Sequence, residues 1–367
     1  MAKDTVVLMG VGEIGATEGD MKHYSALVRP TLATADVRFV QCERIYAEGG
    51  RLQKGMDKSA VLKRAHPKQA SVYKDCGFDV ASVANNHGCE WGLEALLETL
   101  EVLQKLGTQT TGAGKDIRAA RKPAIIERNG VKIAFLAYLS VIRPGYEATH
   151  DRGGMVPLRA HTYYEPLDYN PGMLPRVISF PYPEDLAAMV EDIKAAKKIA
   201  DVVVMSAHFG VHMYEKVIAE YQTIIAHAAI DAGADLILGH HPHLAKGIEV
   251  YKGKVCFYSL ANFITHHPRT PERVADYTRK YGVKFDPEYP LQAFGMGSHR
   301  TLIGKAVISK EGVKKVSFLP MMMNRQCQPE VLHRGDARFD DVVGYMKWLS
   351  DDFDTKFTVE GDEVVIN

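Results

Sequence analysis

Two rhythms of apolar residues run through this chain. Short β-branched runs at 5–9, 37–41, 80–84, 201–207 and 234–238 read as strands. Between them, stretches at 21–32, 58–75, 93–106, 183–200 and 214–232 repeat apolar residues at helical spacing, with Pro67 interrupting the second. Strands alternating with helices in this way predict an α/β fold whose sheets are covered by helices and whose strand-end loops carry function.

Three two-residue turn signals interrupt the alternation. Asn129-Gly130, Lys252-Gly253 and Glu311-Gly312 each join two apolar segments and predict antiparallel hairpins. Hairpins grafted on βα units imply layered, mixed sheets in place of one purely parallel sheet. Residues 143–183 and 266–298 are rich in Pro, Tyr and Gly, lack a clear period, and read as irregular insertions that serve as lids or binding loops. The expected organisation is one domain over 1–320 with these two insertions, and an extension, 321–367, lying on the same domain.

Composition narrows the setting. The 367 residues carry 45 basic and 45 acidic side chains, so nothing in the net charge argues for nucleic acid or an anionic membrane as partner. Cys42, Cys76, Cys89, Cys256 and Cys327 form no CxxC pair, which gives no disulfide framework and no zinc ribbon. The apolar run 5–9 is too short for a signal peptide, and no run approaches the roughly 18 residues of a membrane span. A cytoplasmic protein is the expectation; its oligomeric state is not legible.

The chemistry gathers at the strand ends. The run 234–238 is followed by Gly239-His240-His241-Pro242-His243, and eight of the fifteen histidines fall between His208 and His267. Imidazoles at the end of a buried strand need polar partners, and a divalent ion is the simplest one. The other strands end likewise in potential ligands: Glu13, Glu43, Asn86 and His208. Gly10, Gly12 and Gly15 match a dinucleotide fingerprint, but no acidic residue closes a second strand at the right distance, so the alternative is that the glycines make room for Glu13. His87, beside Asn86 and three residues before Glu90, could transfer a proton near neutral pH.

Taken in order, Gly12-Glu13, Glu43, Ala84-Asn85-Asn86-His87, Gly112-Ala113-Gly114, His208-Phe209-Gly210, Gly239-His240-His241-Pro242-His243 and Tyr258-Ser259-Leu260-Ala261-Asn262-Phe263 resemble the CapA-type poly-γ-glutamate or capsule-synthesis family, with a calcineurin-like metallophosphoesterase fold. The resemblance implies a four-layer αββα sandwich with metal ligands at Glu13, Glu43, Asn86, His208, His241 and His243, and with His240 in a supporting place. The chain departs from the family in having Glu13 and Glu90 where Asp is usual and Ala261 where Gly is usual. No counterpart of the superfamily's Asp-x-His opening lies near Glu13, which leaves open one ion or two.

Carboxylate, amide and imidazole donors suit Mn, Fe or Zn better than Mg or Ca. Such an ion acidifies a water bound to it, so the expected activity is a metal-dependent hydrolase with water as nucleophile, His87 as general acid and Glu90 orienting it. Ser259 lacks a nucleophile elbow, and a catalytic Cys42 or Cys89 would need a pKa-lowering partner that sequence does not reveal. The expected substrate is a small anionic metabolite, cut at an amide, ester or lactone bond. A phosphoesterase is the first alternative, and a non-catalytic metal-binding accessory of poly-γ-glutamate or capsule biosynthesis the second. Arg44, Arg143 and Arg300 are candidate anion contacts. His212, Tyr214, His266, His267 and His299 are candidate loop contacts around the ion.

Overall fold

The computed structural model describes residues 4–53, 63–292 and 294–367. Side-chain alternation along the strands dictates its layers. In the first strand, Val6–Ile14, Val6 and Leu8 join Val37, Phe39 and Val80 in an apolar layer shared with Phe135, Val204, Leu238 and Phe257 of a second sheet. Met9 and Val11 of the same strand point the other way, into a layer with Leu96, Leu100 and Leu103 of the helix Gly92–Lys105. Val203 and Met205, alternating with Val204, meet Met189, Ile193 and Ile225 of the helices Pro183–Lys197 and Glu220–Ala232. The order is therefore helix, sheet, sheet, helix: a four-layer αββα sandwich.

Among the described residues the first sheet has ten strands. Val6–Ile14, Val37–Cys42, Val80–Ser82 and Gln109–Thr111 run parallel in that order, and the hairpin Arg300–Ser309/Gly312–Met323 continues the sheet antiparallel beyond Val6–Ile14. The second has six, with Val131–Leu139, Val202–His208, Leu236–His240 and Lys254–Phe257 parallel at its centre. Asn129-Gly130 and Lys252-Gly253 each turn a hairpin, with Asn129 and Lys252 at φ 51° and 49°, whereas the third hairpin turns at Lys310-Glu311, one residue before the expected pair, with Gly312 already paired to Ser309. Beyond residue 321, the helix Ala337–Ser350 buries Phe339, Val342 and Met346 in the layer between the sheets. The closing hairpin, Phe357–Glu360/Glu363–Ile366, extends the first sheet.

Several sequence expectations need correction. The pattern over 21–32 is two short helices, Met21–Ser25 and Arg29–Leu32, because Pro30 supplies no N–H and fits only a first turn. Of the pattern over 58–75, residues 58–62 lie outside the described residues; Pro67 opens a 3₁₀ turn and only Ser71–Asp75 is α-helical. The helix expected from 214 begins at Glu220, since the carbonyls of Tyr214, Glu215 and Val217 all accept from the Lys246 ammonium. The stretches read as irregular contain ordered elements: the hairpin Ala160–Pro166/Pro175–Pro181 lies within 143–183, and the helix Pro271–Tyr281 within 266–298. Cross-strand pairing and a Thr270 cap make these elements, and neither leaves an apolar period.

One buried ion cluster ties the second sheet to its covering helix. Asp235, 5% exposed, accepts from Lys197 Nζ at 2.6 Å, Lys254 Nζ at 2.8 Å and the Val203 amide at 3.0 Å. Burial opposes the charge, but the two ammonium groups and the amide outweigh it and hold the carboxyl below its ordinary range. Asp235→Ala leaves those donors without their acceptor and should cost about 2–3 kcal/mol at neutral pH. A folded pKa below the unfolded one means the contribution is whole above about pH 4 and is lost as pH falls through the folded value. Urea midpoints of wild type and variant should converge on acidification; a constant gap would refute the assignment.

Candidate metal centre

The carboxyl ends of the parallel strands from both sheets meet at one rim. In the pairing of Val6–Ile14 with Val37–Cys42, Gly10 faces Phe39 but Glu13 faces Gln41, so an extra residue bulges at Val11-Gly12 and re-aims Glu13. A Cβ on Gly12 would lie 2.1 Å from the Ala261 carbonyl oxygen, so only glycine lets this strand close on the 258–263 segment. The glycine run thus makes a steric clearance beneath Glu13. His208 and His240 share the faces of Val204 and Leu238, which puts both rings on the inter-sheet side at the sheet's end. His241 and His243 have φ of 100° and 56°, and Ala261 has φ 60°. Left-handed backbone at non-glycine residues is sparsely populated, and its clustering here marks a site whose geometry is held by its surroundings.

Glu13, Glu43 and His208 are wholly buried and offer donor atoms within 4.8 Å of one another. His208 Nδ1 lies 3.9 Å from Glu13 Oε1 and its Nε2 3.7 Å from Glu43 Oε2. His243 Nδ1 lies 2.6 Å from Glu13 Oε2 and 2.9 Å from Asn262 Oδ1, which leaves its Nε2 directed at Glu43 Oε1, 3.8 Å away. His87 Nε2 stands 3.6 Å from the same oxygen. Asn86 Oδ1 is 2.8 Å from His208 Nε2, and the His241 amide donates to Glu13 Oε1.

These residues pass a direct test for a cation. Among the described residues, neither oxygen of Glu43 has a hydrogen-bond partner, nor do His208 Nδ1 and His241 Nδ1. An unpaired buried carboxylate is costly, so the site calls for a positive charge. Donors lying about 2.0–2.2 Å from a common ion stand roughly 3–4 Å from each other, the spacing seen between Glu43 and the imidazoles of His208 and His243. Burial, with the charge of Glu13 next, drives the Glu43 carboxyl well above its ordinary range. Burial also keeps His208 and His241 well below theirs, hence neutral and able to donate lone pairs. Glu13 is the opposite case: burial opposes its charge, but His243 holds it below the usual range.

His87 is built into a relay. Its Nδ1 lies 2.7 Å from Glu90 Oε1, its amide donates to Asn85 Oδ1 at 2.7 Å, and its Nε2 faces the centre. Burial pushes Glu90 up to about 7, against the charges of Arg44 and Arg143, and lowers His87 well below the usual range.

The remaining sequence candidates divide. His212 packs between His241 and His243, with ring centroids 5.1 Å from each. Arg44 donates to the Gly15 carbonyl at 3.1 Å and lies 3.4 Å from His267 Nε2, beside Glu43. Arg143 acts electrostatically on Glu90. His240 is buried with both nitrogens unpartnered among the described residues and its ring 6.0 Å from Phe39; burial lowers it to about 4. His266 stacks on Tyr24, and Tyr214 lends its carbonyl to Lys246. His299 stacks on Tyr289, and Arg300 is engaged by Asp341 at 2.7 Å and by the Tyr345 ring.

Three contributors were not singled out in sequence. Asn262 braces His243 from both sides, accepting at its ring and donating to its carbonyl at 3.0 Å. Asn85 pins the Asn86-His87 turn to the Cys42 carbonyl at 2.7 Å, and Phe294 stacks on His243 at 3.9 Å. Asn262 lay inside a quoted motif, but a neutral amide that works through backbone contacts leaves no pattern of its own.

The family model described as bacterial capsule synthesis protein PGA_cap matches residues 4–267, which span every candidate ligand. The chain belongs to the PGA_cap family. Relatives of this PGA_cap protein include the PGA biosynthesis protein CapA of Bacillus subtilis, 35% identical over 58% of this chain and 48% of that protein. The capsule biosynthesis protein CapA of Bacillus anthracis is 31% identical over 57% of this chain and 45% of its own. A protein of Mycobacterium tuberculosis named a probable polyglutamine synthesis accessory protein is 29% identical over 57% and 50%. The chain therefore spans about half the length of these relatives. Among solved structures, the calcineurin-like phosphoesterase YfkN of Bacillus subtilis aligns over 95% of this chain and 99% of its own at 13% identity and TM-score 0.39, too loosely for residue correspondence. No helix among the described residues of this PGA_cap protein is long and apolar enough to cross a membrane.

Proposed function

We propose that this chain is a metal-dependent hydrolase of a small anionic substrate, acting on an amide, ester or lactone bond. The observation that carries the reading is Glu43: a wholly buried carboxylate with neither oxygen hydrogen-bonded among the described residues, facing three imidazoles at 3.6–3.8 Å. Glu13, Glu43, Asn86, His208, His241 and His243 would hold one or two ions of Mn, Fe or Zn, whose mixed oxygen and nitrogen preferences suit this donor set. When bound, such an ion supplies Lewis acidity and makes a nearby water nucleophilic at neutral pH.

The protein's own residues do the rest. Glu90 fixes the His87 ring so that Nε2, 3.2 Å from Asn86 Nδ2, addresses the centre, and with its carboxyl held up to about 7 Glu90 supplies a proton to Nδ1 as the Nε2 proton passes to the departing atom. Arg44, held by Gly15 and flanked by His267, sets positive charge beside the carboxylates and favours an anionic substrate. Relatives named for PGA biosynthesis and polyglutamine synthesis concern amide-linked polymers, which supports the amide preference.

The name of the mycobacterial relative favours a second reading, in which the centre binds metal as part of an accessory protein without turnover. Protein reconstituted separately with Mn, Fe(II) and Zn and offered amides, esters, lactones and phosphoesters separates the two. Turnover of an amide, ester or lactone that stops on chelation is the expected result. Stoichiometric metal with no turnover would establish the accessory reading, and turnover of phosphoesters alone would overturn the bond assignment.

A further inference from the structure

Beside the centre lies a cavity of about 370 Å³, within the range of roughly 300–1,000 Å³ that small-molecule sites occupy. Met213, Leu244, Tyr281, Val283 and Phe294 make its apolar wall, and the exposed Glu215 and Lys284 stand at its opening. Met213 and Leu244 follow His212 and His243 directly in the chain, so the cavity backs onto the histidines of the centre. Phe294 is the shared partition: its ring stacks on His243 at 3.9 Å and meets His267 edge to face at 5.6 Å. His212 bridges the two spaces. Its ring lies 5.1 Å from His241 and from His243 on one side, and 6.4 and 5.9 Å from Tyr281 and Phe294 on the other. Its Nε2 is buried without a hydrogen-bond partner among the described residues, and so calls for a polar atom from whatever spans centre and cavity. The wall is also pre-formed. The buried Lys246 ammonium takes the Tyr214 carbonyl and, at 3.0 Å, that of Glu215, which fixes the segment between His212 and the opening.

We propose that this cavity receives the acyl part of the substrate, and that the substrate is an amide joining an apolar acyl chain to a carboxylate-bearing amine. The inference rests on the hydrolase reading and adds to it which side of the scissile bond goes where. His87 protonates the departing atom, so the leaving group lies on its side of the centre, where the charges of Arg44 and Arg143 both bear on Glu90 behind it. A departing amine that carries a carboxylate suits that charge. The acyl part is left the direction past His243 and His212, where the wall offers methyl, thioether and aromatic surface. In the reaction the C–N bond breaks and the nitrogen takes a proton through His87. The acyl carbon takes the hydroxide of a water whose second proton returns to the relay, so the products are an apolar carboxylic acid and an amine that keeps its carboxylate.

Two measurements test this apart from the hydrolase reading. Protein loaded with Mn, Fe(II) or Zn should hydrolyse N-acetyl-, N-butanoyl- and N-hexanoylglycine with kcat/KM rising about two- to fourfold per methylene, the gain from burying each one. Val283→Trp fills the cavity and touches no candidate ligand, so it should flatten the series at unchanged metal content. Gly297→Leu fills it from another side, since a Cβ there lies 3.4 Å from Leu244 Cδ2. By calorimetry, chelated protein should bind hexanamide and not acetamide, and both variants should weaken that binding about tenfold or more. Turnover indifferent to chain length, or hexanamide binding untouched by both variants, would overturn the cavity's role and leave the hydrolase standing. Turnover of other amides or esters but of no N-acylglycine would overturn the substrate class. Turnover of no amide, ester or lactone, with hexanamide binding lost in both variants, would remove the hydrolase reading and keep the cavity as a site for apolar chains.

Discussion

Glu43→Gln should leave the chelated protein as stable as wild type or more so, and yet abolish the stabilisation that a divalent metal confers. The two halves of this result have opposite signs for one reason. Without an ion, Glu43 is a buried carboxyl driven well above its ordinary range by burial and by Glu13, so the folded protein holds it as a neutral acid at the expense of its charge. Gln keeps the shape and removes that strain. With an ion, the same carboxylate is a ligand, and its charge offsets the cation.

Linkage sets the size of the effect. A metal present at a thousand times its dissociation constant stabilises the fold by about 4 kcal/mol. In a chain of this length that is a rise in melting temperature of about 5 °C. Wild type should show this rise with Mn, Fe(II) or Zn after chelation, and Glu43→Gln should show almost none. Metal content by elemental analysis should fall at least tenfold in the variant. If Glu43→Gln instead destabilised the chelated protein by several kcal/mol, the carboxylate would be serving an internal hydrogen-bond network, and the metal reading would fail.

What could be read in the sequence follows from what each feature depends on. The strand ends were legible because Glu13, Asn86, His208 and the 240–243 histidines each follow an apolar run, and parallel strands bring such ends to one rim whatever lies between them. The hairpins were legible because Asn129-Gly130 and Lys252-Gly253 encode left-handed backbone locally. The helix expected from 214 failed because its competitor, the Lys246 ammonium, lies some thirty residues along the chain and takes carbonyls a helix would use. The same holds for the bulge at Val11-Gly12, which arises from a register shift against Val37–Cys42. Glycine spacing alone could not separate a nucleotide loop from a clearance under Glu13; the approach of the Ala261 carbonyl does. The ordered hairpin within 143–183 was hidden because both its faces are apolar, so the period-two alternation that betrays a half-buried strand never forms.

His87→Ala should retain full metal content and lose rate in proportion to how poor the leaving group is. Nε2 is the atom turned to the centre, 3.6 Å from Glu43 Oε1, while Nδ1 is taken up by Glu90 at 2.7 Å. With Glu90 protonated and donating to Nδ1, Nε2 carries the proton for the departing atom; with Glu90 ionised, Nε2 accepts from Asn86 Nδ2 at 3.2 Å and has none to give. A positioned general acid is worth about 10²- to 10⁴-fold, and only where the leaving group needs a proton. For an unactivated amide or alkyl ester, kcat/KM should fall by that factor; for a nitrophenyl ester, whose leaving group departs as an anion, the loss should be under about tenfold. Glu90→Gln should reproduce the same dependence more weakly, because it loosens the ring without removing it. A His87→Ala loss of equal size across the leaving-group series would place His87 in substrate binding, and a loss of metal would make it a ligand; either result would remove the acid from the mechanism while leaving the centre standing.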